Sequence, residues 1–298
     1  MTRYLYLSPH LDDVILSAGA TIASRLEAGD EVAIVTVFSG NLDSSNAEEA
    51  AVYGERRAED KKAISLLSTQ SGALYKTIYL GLADAPFRDS KYTSFEAIVN
   101  SPVSGDDEIG ESLKCRVGKM LEIERPDVLV TPLGVGRHVD HRLVFEAIAT
   151  LAWQGESRFY QERPYAFVPG AVDLRWSSLG ARPIAFGTAL PAQEYPEVSF
   201  LAGYRKESEM CTEVREVLVW RWNNNAYCKY PVAPSKPQRR RRLLAIAAYK
   251  SQLAALFDSE AETAEEAIAQ LYGSCPEVEW QIHNQSPPTG ISLSAKEK

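Results

Sequence analysis

The sequence predicts an α/β protein with a Rossmann-like, doubly wound and mostly parallel sheet. Strand-like and helix-like stretches alternate through the first half of the chain, which places crossover helices on both faces of such a sheet. The chain has 298 residues, of which 45% are hydrophobic, so it can bury a sizeable core. We expect one α/β domain over residues 1–298.

The first elements predict a βαβ unit. Tyr4–Leu7 and Glu31–Phe38 are rich in β-branched and aromatic residues, which is typical of strands. Between them, Val14–Ala28 carries apolar residues at helical spacing and ends at a Gly29-Asp30 turn. The alternation then continues, with helices predicted over Ala47–Ser68, Glu108–Glu124 and His138–Trp153, and strands over Thr77–Leu82 and Val128–Thr131.

After Phe159 the pattern changes. Five prolines between residues 164 and 200 predict an irregular insertion or lid over residues 164–204, at the carboxyl edge of the sheet. Helical spacing returns over Arg205–Trp220 and Gln238–Phe257, which predicts C-terminal helices. Residues 285–298 are rich in Ser, Pro and Lys and predict a frayed tail.

Charge, hydropathy and cysteine content bear on the partners and the cellular compartment of the protein. Lys and Arg number 32 against 40 Asp and Glu, so no basic field is expected to attract nucleic acid. The apolar runs are shorter than the ~20 residues of a membrane span. The four cysteines form no CxxC pair, and Arg3–Ser8 already alternates like a strand, so we expect no secretory signal and a cytoplasmic protein.

The first chemical motif is Ser8-Pro9-His10-Leu11-Asp12-Asp13, where the first strand gives way to the first helix. This is the ligand-binding edge of a doubly wound sheet. A tight turn can aim His10 and Asp13 at one point, and an imidazole with a carboxylate suits Zn²⁺ and similar metals. The competing interpretation is that Asp12 and Asp13 cap the helix that begins near Val14.

The second motif, Gly134–His141, follows the predicted strand over Val128–Thr131. Its histidines, His138 and His141, are three residues apart and share a helix face, so at least one can join the first motif around a metal. Three of the four histidines in the chain fall in these two motifs, which favours a metal site over coincidence.

Together the two motifs resemble the paired signature of the PIG-L or LmbE-like family of metal-dependent N-deacetylases, which act on N-acetylglucosamine conjugates and related amides. The likeness extends from residue 3 to about 257 and includes four further stretches: Arg56 with Glu59, Ala63 and Leu67; Gly81–Asp84; Phe159–Tyr165; and Ala248–Gln252. The resemblance implies that the metal is Zn²⁺, with Fe²⁺ or another divalent ion as alternatives, and that its ligands are His10, Asp13 and His141.

The resemblance also implies catalytic roles. Asp12 is expected to be the general base, and His138, oriented by Asp140, is expected to stabilise the tetrahedral oxyanion. Some family members place a tyrosine two residues before His138, where this chain has Gly136. In those members the tyrosine can help to bind the oxyanion. We expect that role to be taken here by Arg137, by a residue of the insertion, or by the metal and His138 alone.

These implications predict a metal-dependent hydrolase that removes an N-acyl, and in particular an N-acetyl, group from an amino-sugar or glycoconjugate substrate. Alternatives are a metal-dependent hydrolase of a phosphoester or of an amide in a thiol or glycopeptide conjugate, and a non-catalytic sugar-binding homologue. Arg239–Arg242 is the one hint of a phosphate ligand, although such a run is more often the solvated start of a helix. The oligomeric state is left open.

Overall fold

The central strand of the sheet, β1 (Arg3–Ser8), pairs in parallel with β2 (Glu31–Thr36) on one side and with β4 (Val128–Pro132) on the other. The computed structural model describes residues 1–40, 46–68, 74–103, 107–151, 153–167, 171–179, 226–230, 232–257, 272 and 276–283. Within these ranges no helix has the length and hydropathy needed to cross a membrane.

The sheet extends outward from this centre in both directions. β3 (Tyr75–Tyr79) pairs in parallel with β2, and β5 (Glu156–Tyr160) pairs in parallel with β4. β7 (Glu279–His283) and β6 (Ala226–Tyr230) follow β5 as antiparallel strands. The order of the seven described strands is therefore β3-β2-β1-β4-β5-β7-β6.

Helices connect and cover the strands. In chain order they are α1 (Asp13–Glu27), α2 (Ala47–Ser65), α3 (Ala85–Arg88), α4 (Phe95–Asn100), α5 (Glu108–Glu124), α6 (Val139–Thr150), α7 (Ala171–Ser178), α8 (Lys236–Ile246) and α9 (Lys250–Phe257). Alternate β1 side chains point to opposite faces, so Tyr6 packs in a cluster with α1, whereas Leu5 and Leu7 pack with α5 and α6. The predicted doubly wound, mostly parallel α/β fold is confirmed.

The direction of sheet growth reverses between β1 and β4, because β2 and β3 extend to one side and β5 to the other. The loops that leave the carboxyl ends of these two neighbouring strands diverge and open a crevice, which is where ligands bind in open α/β sheets. His10 lies in the loop after β1, and His138 lies in the loop after β4. The topology therefore brings the two sequence motifs to one place.

Several element boundaries differ from those predicted. The strand predicted over Glu31–Phe38 ends at Thr36, because β1 itself ends at Ser8. The helix predicted over Gln238–Phe257 is two helices. Between α8 and α9, the N–H groups of Ala248 and Tyr249 bond to carbonyl groups three residues earlier, instead of four as in an α-helix. The helix predicted over Glu108–Glu124 is confirmed at both ends.

The predicted insertion over 164–204 is described at residues 164–167 and 171–179. There it forms a 3₁₀ turn, Tyr165–Phe167, and the helix α7 instead of irregular chain. The rest of the insertion, the helix predicted over Arg205–Trp220 and the tail over 285–298 lie outside the described residues. A lid, a frayed tail and a single domain over 1–298 stay predictions.

The Arg239–Arg242 run is partly a core feature, so the expectation of a solvated run is wrong for its last two members. Arg241 and Arg242 are buried, and they pair with Glu27 and Glu277 respectively. Gly19 on α1 permits this close approach, because a Cβ there would lie 3.0 Å from Cγ of Arg242. The Arg239–Arg242 run therefore links α8 to α1, and the burial of Arg241 and Arg242 removes the reason to expect a phosphate ligand there.

Arg242→Met is expected to lower the free energy of unfolding by about 3–5 kcal/mol, because Glu277 would remain charged in the core without its cation. Arg240→Met, at an exposed neighbour in the same helix, is the matched control and should change it by less than about 0.5 kcal/mol. Urea denaturation followed by circular dichroism measures both variants. Equal unfolding free energies for the two would contradict the structural role of Arg242.

Candidate metal centre

The turn after β1 is shaped by the side chain of Ser8. Its hydroxyl donates to the carbonyl oxygen of His10 (2.5 Å) and accepts the N–H of Val14 (3.1 Å). The N–H of His10 in turn donates to Oδ2 of Asp13 (2.8 Å). These bonds hold the imidazole and the carboxylate on the same side of a short turn, directly at the start of α1.

The turn after β4 depends on glycine. Gly134 and Gly136 have φ angles of 82° and 92°, in the left-handed region that glycine adopts without a steric penalty. A tyrosine at position 136 would be strained in this backbone. Arg137 also has a positive φ, of 55°. This conformation of the loop is therefore compatible with glycine at position 136 and not with the tyrosine.

Glu162, just beyond β5, anchors the same turn. Its buried carboxylate accepts the N–H groups of Leu133 (3.2 Å), Gly134 (2.6 Å) and Val135 (3.1 Å). Oε1 of Glu162 also lies 3.4 Å from Nδ1 of His141. Sequence reasoning assigned no role to Glu162, although it lies in one of the stretches that carry the family resemblance.

Three predicted ligands, His10, Asp13 and His141, each offer one ligand atom, and these atoms lie within 4.8 Å of one another. Oδ2 of Asp13 is 3.1 Å from Nδ1 of His10 and 3.2 Å from Nε2 of His141. A tetrahedral metal with bonds of about 2.0–2.1 Å separates neighbouring ligand atoms by about 3.3 Å. The spacing and the two-nitrogen, one-oxygen donor set fit Zn²⁺ and related divalent ions.

Asp13 and His141 are buried and His10 is half-buried, and the charges of the three side chains shift one another's pKa values. Burial opposes the charged form of each histidine, but hydrogen bonds to Asp13 and Asp140 raise the pKa of His10 to about 10. At His141, burial lowers the pKa, but the carboxylate of Asp13 has the larger combined effect and raises the pKa to about 9. Burial also opposes ionisation of Asp13, yet the neighbouring His141 and His10 lower its pKa well below the usual range. Metal binding must therefore displace histidine protons.

Asp12 lies beside these three residues in a different environment. It occupies the N-cap position of α1 but makes no side-chain cap hydrogen bond, so the helix-capping interpretation is wrong for this residue. Burial and the negative charge of Asp13 raise the pKa of Asp12, while Arg56, whose Nη2 is 3.9 Å from Oδ1 of Asp12, opposes that shift. Asp12 lines the same cavity as His10 and Asp13.

The structure changes the expected partner of Asp140. Its backbone N–H donates to Nδ1 of His138 (3.2 Å), but its carboxylate lies 3.0 Å from Nε2 of His10. The same carboxylate accepts the N–H of Ala85 (2.9 Å) and Nη2 of Arg88 (2.6 Å). Asp140 therefore orients His138 through its main chain and His10 through its side chain.

His138 is held as a neutral donor. Burial and the positive charge of His10 keep the pKa of His138 well below its usual value. Because Nδ1 accepts a hydrogen bond, the single proton of the neutral ring lies on Nε2. His138 also lines the cavity, so a hydrogen-bond donor is available beside the three predicted ligands.

A cavity of about 250 Å³ opens at this point. Besides the site motifs it is lined by polar and apolar side chains: Leu16, Arg56, Asp84, Pro86, Ile98, Arg163, Pro164, Tyr165, Gln252 and Leu256. Another cavity, of about 300 Å³, lies at the opposite edge of the sheet, but its lining contains no histidine. We therefore place the chemistry in the smaller cavity.

Two features of the cavity wall were not foreseen. Asp84 is buried, its Oδ1 has no hydrogen-bond partner among the described residues, and its Oδ2 lies 3.8 Å from Nη1 of Arg56. Tyr165, from the beginning of the predicted insertion, packs edge-to-face on His141 with ring centroids 5.5 Å apart. Arg137, one of the expected oxyanion donors, is not among the described residues that line this cavity.

Comparison with known proteins gives consistent sequence matches. Residues 5–152 match the family model described as PIG-L, GlcNAc-PI de-N-acetylase. A 2'-N-acetylparomamine deacetylase of Streptomyces fradiae is 31% identical over 186 residues, which cover 60% of this chain and 63% of that protein. A 2'-N-acetylparomamine deacetylase of Niallia circulans is 26% identical over 190 residues, which cover 54% of this chain and 67% of that protein. The match thus spans less than two thirds of the Streptomyces protein.

A solved structure shares the fold. The crystal structure of a deacetylase from the biosynthesis pathway of teicoplanin matches with a TM-score of 0.58 and 21% identity. The match covers 95% of this chain and 98% of the other. The α/β architecture is therefore common to both proteins.

Asp13→Ala and His141→Ala are each expected to abolish stoichiometric metal binding, because each removes one of three converging ligand atoms. Asp84→Asn, which alters the same cavity outside the three predicted ligands, is the control and should retain the metal. Elemental mass spectrometry of protein purified without an affinity tag measures the metal content. Full stoichiometry in a double Asp13→Ala, His141→Ala variant would refute the site.

Proposed function

Because the chain belongs to the PIG-L family, we propose that it is a metal-dependent N-deacetylase that removes an acetyl group from an amino-sugar-containing small molecule. One observation carries this proposal. Two members of a donor set of two histidines and one carboxylate, His10 and Asp13, line a cavity together with a separate carboxylate, that of Asp12, which makes no helix cap. A metal site that served only to bind sugar would not need this additional base.

The proposed metal ligands are Nδ1 of His10, Oδ2 of Asp13 and Nε2 of His141. When bound, a divalent cation lowers the pKa of water toward about 7 and polarises the carbonyl group of an amide. We favour Zn²⁺, because three protein ligands with an open position are typical of catalytic zinc sites. Fe²⁺ is accommodated by the same donors.

Asp12 is the proposed general base. It lines the cavity next to the metal ligand Asp13, so its carboxylate can take a proton from the attacking water. The same carboxyl group can then return that proton to the leaving amine. Arg56, 3.9 Å away, keeps the carboxylate oriented without a close ion pair that would remove its basicity.

His138 is the proposed oxyanion donor. Its Nε2 carries the ring proton and the residue lines the cavity, so this N–H can donate to the amide oxygen as negative charge develops. The main-chain N–H of Asp140 holds the ring in this orientation. This arrangement supports the alternative in which His138 acts with the metal and without the tyrosine that Gly136 replaces.

The cavity wall supports an amino-sugar substrate. Arg56 and Asp84 present a donor and an acceptor for hydroxyl or amino groups, and Ile98 and Leu256 offer apolar contact. Both curated relatives are named 2'-N-acetylparomamine deacetylases, which supports an N-acetylated amino sugar. The burial of Arg241 and Arg242 against acidic partners weakens the alternative of a phosphoester.

The substrate class can be tested with a small panel. Zinc-loaded protein should release acetate from 2'-N-acetylparomamine or a simpler N-acetylated amino sugar, and no phosphate from a sugar phosphate. Acetate and phosphate assays of the same reactions measure both products. Release from an acylated thiol or glycopeptide conjugate alone would favour the alternative amidase, and no hydrolysis by fully loaded protein would favour a binding role.

Asp12→Asn is expected to keep the metal and to lower kcat by roughly 10²–10⁴-fold, because it removes the base and leaves the three ligands unchanged. Asp89→Asn, an exposed aspartate paired with Lys91, is the matched control. Elemental analysis and steady-state kinetics measure the two effects separately. An unchanged kcat at full metal content would exclude Asp12 from the mechanism.

A further inference from the structure

Both carboxylate oxygens of the buried Asp140 are engaged. Oδ2 contacts Nε2 of His10 (3.0 Å) and the N–H of Ala85 (2.9 Å), and Oδ1 accepts Nη2 of Arg88 (2.6 Å). Although His10, His138 and Asp140 also lie close enough to hold a metal, this carboxylate already has three donors. Asp140 is therefore better suited to support the centre than to join it.

The contact with Asp140 decides which ring nitrogen of His10 can meet a metal. A neutral imidazole carries its proton on one nitrogen and a lone pair on the other. When Nε2–H donates to Asp140, the lone pair lies on Nδ1, the atom that is 3.1 Å from Oδ2 of Asp13. A carboxylate behind a metal-binding histidine fixes the orientation of the ring in this way.

Arg88 is held in place around this carboxylate. Besides Asp140, it donates from Nη1 to the carbonyl oxygen of Ala83 (3.0 Å). Its guanidinium carbon lies 5.2 Å from the ring centroid of Phe38 and 5.5 Å from that of Tyr92. The planar group is thus fixed by two hydrogen bonds and two aromatic faces, so it can hold Asp140 with little further loss of entropy.

The segment that holds Asp140 also borders the cavity. Asp84 and Pro86 line the cavity wall, whereas Ala85 and Arg88 contact Asp140 from behind. Arg88 itself does not line the cavity among the described residues. Its direct polar contact with the groups around the centre is the hydrogen bond to Asp140.

We propose that Arg88 is a positioning residue of the metal centre, which holds Asp140 so that Asp140 fixes His10 with Nδ1 toward the metal. This inference rests on the metal site of the proposed function. A purely structural arginine would stabilise the fold and leave metal affinity unchanged, so metal affinity is the quantity that separates the two roles.

The test compares Zn²⁺ affinities by competition with a chromophoric chelator. Arg88→Met is expected to weaken Zn²⁺ binding by roughly 10–100-fold, the usual effect of losing a partner behind a metal ligand. Arg88→Lys should recover part of the loss, because it keeps the charge but not the planar geometry. Arg116→Met, which removes a comparable bond to the carbonyl of Leu80, should stay within about twofold of the unmodified protein.

A folded Arg88→Met protein with Zn²⁺ affinity within about twofold of the unmodified protein would overturn the positioning role and leave the proposed function intact. If circular dichroism shows that Arg88→Met does not fold, Arg88→Gln replaces it. A loss of affinity in that variant supports the role, and unchanged affinity overturns it. Failure of the unmodified protein to bind Zn²⁺ would overturn both this inference and the proposed function.

Discussion

The buried negative charge of Asp13 is the feature on which the rest of the centre depends. A carboxylate removed from water is costly unless cations and hydrogen bonds compensate it. His10 and His141 supply that compensation at 3.1 and 3.2 Å, and they come from the loop after β1 and from the first turn of α6 respectively. The turn set by Ser8 and the turn held by Glu162 can both be understood as ways to bring these three groups together.

A second layer of carboxylates stands behind the histidines. Asp140 lies against His10, and Glu162 lies 3.4 Å from His141, so each ring has an acidic group on the side away from Asp13. Both supporting carboxylates accept backbone N–H groups, one at Ala85 and three along residues 133–135. The supporting carboxylates are thus held by the main chain of two loops, which suits a site that must keep its geometry before a metal arrives.

The architecture and the two motifs were accessible from sequence because they depend on local spacing. Strand ends, helical periodicity and the three-residue separation of His10 and Asp13 follow from neighbours in the chain. The Arg239–Arg242 run misled the sequence analysis because Arg242 meets Glu277, a residue 35 positions later. Glu162 received no role for a similar reason, because it contacts residues 133–135, which are separated from it in the chain by a helix and a strand.

The sequence by itself determined the order of elements, the sheet edge that carries the chemistry and the residue types gathered there. Only the tertiary structure decided that the Asp140 carboxylate serves His10, 130 residues away, while its main chain serves His138. It also showed that the loop after β4 has a φ of 92° at Gly136, a conformation that glycine adopts without strain. Periodicity is a property of adjacent residues, whereas hydrogen-bond partners and loop dihedrals are set when distant segments pack together.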